Sequence, residues 1–467
     1  MTEKVPLEFD FVAIGSGPAG QRAAIQAAKL GKRTALIDRR PLVGGVTVHT
    51  GTIPSKTLRE AILYFTGFNQ RSFYGRDYRL KRNITIDDLM QRLDLTIRHE
   101  IAIIDNQLQR NGVTVIHGTA SFIDPYQLRI ETADGTSLRC AAQKILIATG
   151  TNPRRPAYIP FDDEAIVDSD GLLHLKCIPK SLIVVGAGVI GAEYASMFNA
   201  LDVKVTLLHE RATMLDFLDK DVAHEFLQRM HEQGMDLRPG KKIDHISRQS
   251  NGTVDVALTD GSHIHADALL FAAGRVGNTT ELLLEKAGLT ATKRHQIEVN
   301  SYYQTAVPHI YAAGDVIGFP SLASTSMDQG RLAACHAFGR ESPHDETRFP
   351  YGIYTVPEIS MIGQTEQQLI AENIPYGAGI ARLEETARAQ IMGLTGGILK
   401  LLFSRADRRL LGIHIVGRGA TELIHIGQAV MRLNGTLDYF IENVFNYPTL
   451  AEAYKIAALD AWNRLNS

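Results

Sequence analysis

The sequence predicts an α/β protein of several domains, and three features carry that expectation. The first is an approximate repeat: FVAIGSGPAGQRAAIQAAKLGKRTALIDR at 11–39 and LIVVGAGVIGAEYASMFNALDVKVTLLHE at 182–210. Each reads as an apolar strand, a glycine-rich turn, an amphipathic helix and a second apolar strand. The second is length, since 467 residues exceed the ~250–300 at which one hydrophobic core stops growing. The third is a block from near Phe349, where the strand patterns ILKLLFS and LLGIHIVG precede the helical patterns ATELIHIGQAVMRL and LAEAYKIAALDAWNRL, an α+β order. The repeat offset, 171 residues from Gly15 to Gly186, is too long for a solenoid unit and points to two separate domains.

Composition excludes several classes of function. With 45% hydrophobic and 21% charged residues and a net charge of −2, the chain has no basic field for nucleic acid or an anionic membrane surface. The three cysteines, Cys140, Cys177 and Cys335, are widely spaced and form neither a CxxC nor a metal-ligand cluster, so no metal is expected. The opening MTEKVPLEFDFVAIG lacks the apolar stretch of a signal peptide, and no window approaches the ~18 apolar residues of a membrane span. A cytoplasmic protein without a membrane partner is expected.

In chain order, Gly15, Gly17 and Gly20 form GxGxxG between strand and helix. The first glycine permits a tight turn, the second lets a pyrophosphate approach the backbone, and the third allows close helix packing. Asp38, beside Arg39, ends the next strand and can accept hydrogen bonds from a ribose 2′-hydroxyl. Residues 57–110 read as two helices joined by NQRSFYGRDYRLKRN. The segments around 114–147 and 244–271 alternate with the turn signals ADG and TDG, suggesting small antiparallel sheets. KILIATGTNP at 144–153 and HIYAAGDVIG at 309–318 read as punctuated strands. Gly186, Gly188 and Gly191 repeat the glycine pattern, but the position equivalent to Asp38 holds His209, followed by Glu210 and Arg211. An acid there favours NAD and a cation pairs with the 2′-phosphate of NADP, so the mixture is compatible with both. Two Rossmann-like dinucleotide-binding domains suggest a flavin on one and a nicotinamide nucleotide on the other.

Taken together, GSGPAG at 15–20, GGVTVHTGTIPSK at 44–56, ATG at 148–150, GAGVIGAEYA at 186–195, GR at 274–275 and YAAGD at 311–315 carry a resemblance over nearly the whole chain. In that order they are similar to the FAD-dependent pyridine nucleotide-disulfide oxidoreductase family that includes glutathione reductase and dihydrolipoamide dehydrogenase. The resemblance implies a discontinuous FAD-binding domain at 1–155 and 275–345, an NAD(P)-binding domain at 156–274 and a dimerisation domain at 346–467. It further implies a homodimer in which FNYPTLAE of one subunit completes the flavin site of the other. Flavin contacts are implied at Gly44, Gly45, Thr47, Gly51, Thr52, Ala120, Ala148, Thr149, Gly150, Gly274, Arg275, Gly314, Asp315, Leu322, Ala323 and Ser324. Nicotinamide-nucleotide contacts are implied on the second module, Ile190 included.

Departures from the family select the chemistry. Its disulfide reductases use two loop cysteines, and the corresponding residues are Thr47 and Thr52. They also use a histidine where this chain has Tyr447, although the accompanying acid, Glu452, is retained. A phenol with an ordinary pKa near ~10 is a poor base at neutral pH. Lys56 is implied at the flavin N5 and O4 edge with Glu193 as its partner, and Tyr194 as an aromatic gate over the flavin. Within the family, GTIPSK, GRVGNT, VIGFPSLAS, GIYTVPEIS, ELIHIGQA and FNYPTLAEAY resemble the soluble pyridine nucleotide transhydrogenase branch. Many members carry a cysteine at position 47, so this loop departs even from that branch. The resemblance implies hydride passing from NADPH to the flavin and then to NAD in two half-reactions. The alternative is an NAD(P)H oxidoreductase that passes electrons to a quinone, oxygen or another non-thiol acceptor.

Overall fold

The computed structural model describes residues 7–342 and 348–465. The expected boundary between residues 345 and 346 lies outside the described residues, as does the start of the opening segment. The chain divides into two compact units. The first comprises the described residues among Met1–Leu58, Met90–Arg154 and Gly274–His344; the second comprises those among Arg59–Leu89, Arg155–Ala273 and Asp345–Ser467.

The first unit is built on one sheet. Its order is Thr114–His117, Thr34–Asp38, Leu7–Ile14, Ser137–Ile147, Gln127–Glu131 and Thr119–Asp124, with Ile310–Ala312 also paired to Ser137–Ile147. Strand residues alternate between two cores because successive side chains leave opposite faces of the pleat. Phe11 and Ala13 enter one core, while Val12 and Ile14 enter the other. The helix Pro18–Lys29 packs so closely against Ala323–Ala337 that a Cβ at Gly330 would strike the Ala19 carbonyl.

In the second unit a five-stranded parallel sheet runs Asp236–Arg238, Lys204–Leu208, Ser181–Val185, Ala268–Phe271 and Ile166–Asp168. A three-stranded antiparallel sheet, Ile243–Arg248, Val254–Leu258 and His263–Ala266, accompanies it. The C-terminal block is a five-stranded antiparallel sheet with the helices Ala420–Arg432 and Glu452–Leu465. Its paired central strands place Lys400 opposite His414.

Two expectations need correction. The 244–271 segment is not antiparallel throughout: Ala268–Phe271, buried at all four residues, pairs in parallel with Ser181–Val185. Likewise Thr114–His117 pairs in parallel with Thr34–Asp38. Turn signals locate strand ends but not partners: Ala268–Phe271 joins the sheet that covers both its faces, whereas the partly exposed Thr114–His117 extends the parallel sheet at its edge. The two helices expected over 57–110 are Thr52–Phe65 and Ile86–Arg110, joined by a segment containing single turns at Phe68–Gln70 and Arg71–Tyr74.

Candidate functional site

The glycine turn of the first unit is held from three sides. Gly15 adopts φ +108°, and a Cβ there would meet the Ala148 carbonyl; a Cβ at Gly20 would meet the carbonyl of Gly15. Gly45, at φ +61°, lies so that its Cβ would stand 2.7 Å from the Cα of Gly17. A side chain at any of the three would force the turn apart. Gly17 itself has nothing within 4 Å of its Cβ position. It is the N-cap of Pro18–Lys29 and supplies no side-chain cap, so the helix N-terminus faces open space.

Asp38 is bound into this turn. Its Oδ2 accepts from Ser16 N–H at 2.7 Å and from Ser16 Oγ at 2.5 Å, and its Oδ1 accepts from Arg40 N–H at 2.8 Å. Ser16 Oγ in turn accepts from Gly44 N–H at 3.0 Å, tying the GSGPAG turn to the GG loop. Arg39 pairs with Glu281 at 3.2 Å. An open cavity of about 90 Å³ is lined by Gly15, Asp38, Arg39, Gly45, Ala120 and Thr149 among others. The hydroxyl oxygens of Thr149 and Thr50 are buried without a partner. An open glycine cradle, an uncapped helix N-terminus, a ribose-type acid and orphaned hydroxyls fit a bound dinucleotide such as FAD.

Further along the first unit, Arg275 Nε donates to Thr151 Oγ1 at 2.8 Å, and Thr151 Oγ1 donates to Asp315 Oδ2 at 3.2 Å. Desolvation pushes the Asp315 carboxyl above its ordinary value, against the opposing influence of Arg275 and Thr151. Gly314 N–H donates to Gln329 Oε1 at 2.9 Å, and Leu322 caps the helix that Ala323 and Ser324 begin. Gly150 and Gly274 adopt positive φ, +67° and +108°, at the ends of the short paired strands Thr151–Pro153 and Arg275–Gly277.

Thr47 lies in the single-turn helix Gly45–His49, and Thr52 opens Thr52–Phe65, with Gly51 between the two helices. Lys56 sits on the second turn of the latter, its Nζ 3.3 Å from Ser55 Oγ. No cysteine occupies the loop. Cys140 and Cys335 are buried in the first unit, and burial pushes the Cys140 thiol up to about 11, which leaves it unreactive.

The second glycine turn repeats the first. Gly186 adopts φ +108° with its Cβ position 2.8 Å from the Ala272 carbonyl; Gly191 packs on Gly186, and Gly188 faces open space. Ile190, on the first turn of Val189–Ala200, is half-buried. Ala187 N–H donates to His209 Nδ1 at 3.3 Å. Burial, and then Arg211, hold the His209 imidazole below its ordinary pKa, with Asp216 and Glu210 opposing. Arg211, 72% exposed, pairs with Asp216 at 2.7 Å, and Glu210 is exposed. In the same unit Glu193 and Tyr194 are buried, and Glu193 Oε1 accepts from Tyr354 N–H at 2.8 Å. Tyr447 is 72% exposed, whereas Glu452 Oε2, at the start of its helix, is buried without a partner.

Sequence reasoning missed Ser16, Thr151 and Lys241, whose N–H donates to the His209 carbonyl at 3.0 Å. Ser16 occupies a variable position of GxG, and nothing local marks it as the bridge between two loops. Asp38→Ala is expected to weaken FAD binding by roughly tenfold to a hundredfold, the ~1.5–3 kcal/mol of a hydrogen bond to a charged group. Flavin fluorescence quenching on titration of the apoprotein measures it, and unchanged affinity would remove Asp38 from the cradle.

Two dinucleotide cradles, each at the end of a parallel strand pair, together with an antiparallel C-terminal block, define a two-nucleotide flavoprotein class. The pyridine nucleotide-disulphide oxidoreductase model matches residues 9–330 and the dimerisation domain of the same family matches 349–458; the chain belongs to this family. It is 50% identical over 461 residues to the soluble pyridine nucleotide transhydrogenase of Mycobacterium bovis, covering 98% of both chains. It is 44% identical over 462 residues to that of Klebsiella pneumoniae, covering 98% of this chain and 99% of the relative. Among solved structures, LpdA of Mycobacterium tuberculosis superposes with a TM-score of 0.89 at 29% identity, over 98% of this chain and 99% of that one. The HOCl-induced flavoprotein disulfide reductase RclA of Escherichia coli gives 0.86 at 28%, over 96% and 99%.

Proposed function

We propose that this chain is an FAD-dependent transhydrogenase that moves hydride from NADPH to NAD+, giving NADP+ and NADH, through two half-reactions at one flavin. The observation that carries the reading is the pairing of an intact dinucleotide cradle with a loop whose two thiol positions are Thr47 and Thr52. The names of full-length relatives support it.

FAD supplies a two-electron centre that accepts and returns hydride. The chain supplies position and field. Gly15, Gly17, Gly20, Gly44 and Gly45 bring main-chain N–H groups to the pyrophosphate, and Asp38 meets the ribose. Lys56 places a fixed cation where negative charge develops. Hydroxyls at Thr47 and Thr52 offer no sulfur through which electrons could leave, and Tyr447 offers no imidazole base. Hydride transfer itself needs no proton shuttle, so near-attack placement of the nicotinamide is the main catalytic contribution. His209, Glu210 and Arg211 serve both nucleotides, Tyr194 gates access, and the active form is a cytoplasmic homodimer.

Anaerobic mixing of the flavin-loaded protein with NADPH and thio-NAD tests the reading. Reduction of thionicotinamide at a rate matching flavin turnover is expected. Flavin bleaching by NADPH without thio-NAD reduction, alongside rapid turnover of a quinone, would transfer the assignment to an NAD(P)H oxidoreductase.

A further inference from the structure

The two modules use the same main-chain donor with chemically different acceptors. Ser16 N–H donates to the Asp38 carboxylate at 2.7 Å in the first; 171 residues later, Ala187 N–H donates to His209 Nδ1 at 3.3 Å. An imidazole that accepts at Nδ1 is neutral and carries its proton at Nε2. The strand end that presents an acceptor and a full negative charge in the first module therefore presents a neutral N–H donor in the second. Burial and then Arg211 oppose protonation of the ring and outweigh Asp216 and Glu210, which favour it, and the hydrogen bond from Ala187 requires an unprotonated Nδ1.

A carboxylate at this place accepts from a ribose 2′-hydroxyl but repels a 2′-phosphate. A neutral N–H donor is accepted by the oxygen of either group. Arg211 is exposed and pairs with Asp216 at 2.7 Å, and an exposed pair of this kind is weak enough for the guanidinium to turn to a phosphate. We infer that His209 is the specificity-determining residue of the second module, acting as a neutral stand-in for the acid so that one pocket takes nucleotides with and without a 2′-phosphate. The inference rests on the transhydrogenase reading for its biological sense, but its chemistry can be tested without hydride transfer.

The test is calorimetric titration of the flavin-loaded protein with adenosine 2′,5′-bisphosphate and with 5′-AMP, for wild type, His209→Asp and His209→Asn. Asparagine can accept from Ala187 N–H through Oδ1 and donate outward through Nδ2, so His209→Asn is expected to keep the wild-type ratio of affinities. His209→Asp is expected to weaken the bisphosphate by roughly tenfold or more while 5′-AMP changes little. Equal weakening of both ligands by His209→Asp overturns the inference, as does an unchanged ratio. If His209→Asp fails to fold, a tenfold change of ratio in His209→Asn overturns it and a preserved ratio supports it. Flavin bleaching by NADPH and by NADH supplies a second readout, with selective slowing of NADPH expected in His209→Asp. The expected binding ratios together with failed thio-NAD reduction in wild type would sink the transhydrogenase reading and leave the role of His209 standing.

Discussion

Lys56→Met is expected to slow flavin reduction by NADPH and flavin reoxidation by thio-NAD by about a hundredfold to a thousandfold each, with the flavin still bound. Methionine keeps the length and the helix propensity of the position, so Thr52–Phe65 persists and only the charge is removed. Lys56 stands on the second turn of that helix, where the positive end of the helix dipole adds to its ammonium. Both fields favour negative charge at one place, and losing a preorganised donor of this kind typically costs ~10²–10³ in rate. Stopped-flow absorbance resolves the two half-reactions separately. Equal slowing of both fits a cation that serves hydride arriving and leaving, while rates within a fewfold of wild type would show that Lys56 has no catalytic role. Lys56→Arg keeps the charge with different geometry and is expected to recover part of the loss.

Lys400→Met is expected to lower stability at neutral pH by ~3–5 kcal/mol, the usual cost of stripping one partner from a buried charge cluster. Lys400 is 1% exposed and donates to Asp219 at 2.9 Å, Asp221 at 2.6 Å and Glu366 at 2.6 Å. Asp219 is also the N-cap of Lys220–Glu232, accepting from Asp221 N–H at 3.1 Å, and Glu366 accepts from Tyr376 Oη at 2.7 Å. Beside the lysine, buried His414 donates through Nε2 to the Gln364 carbonyl at 2.9 Å. Burial alone would raise the carboxyls of Asp219 and Glu366, but His414 and Lys400 on the first, and Lys400 and Tyr376 on the second, hold both below their ordinary 3.8 and 4.5. Burial likewise disfavours the Lys400 ammonium, yet its carboxylates push it above its ordinary 10.5.

The pH dependence follows from these directions. Depressed carboxyls contribute stability that is present above their unfolded values and lost as pH falls through the folded ones; the raised lysine contributes stability present below 10.5 and lost as pH rises through its folded value. The difference between wild type and Lys400→Met should therefore be widest from about pH 5 to 10 and narrow in acid. Calorimetric unfolding at several pH values measures it. A difference independent of pH would mean that Lys400 acts through packing alone.

That lysine also marks a limit of linear reading. ILKLLFS reads as a buried strand, and the sequence offers no reason to place an ammonium inside it. Its three acids come from positions 219, 221 and 366, and only the folded second unit brings them together. Ser16 is similar: the glycines around it announce a turn, but its bridge from Asp38 to Gly44 depends on two loops meeting. His209 is intermediate. The repeat shows that an acid has been replaced, whereas the acceptance of Ala187 N–H, which fixes the tautomer, is a matter of geometry.

Short-range spacing was enough to mark both glycine turns and the acid at 38, each a property of residue type at a fixed distance along the chain, and the family resemblance then implied that Thr47, Thr52 and Tyr447 stand where thiols and an imidazole would. Sheet partners, the Arg275–Thr151–Asp315 chain, the buried Lys400 cluster and the protonation of His209 lay beyond such spacing. They depend on groups far apart in sequence losing water together, and which groups those are is decided only when the cores close.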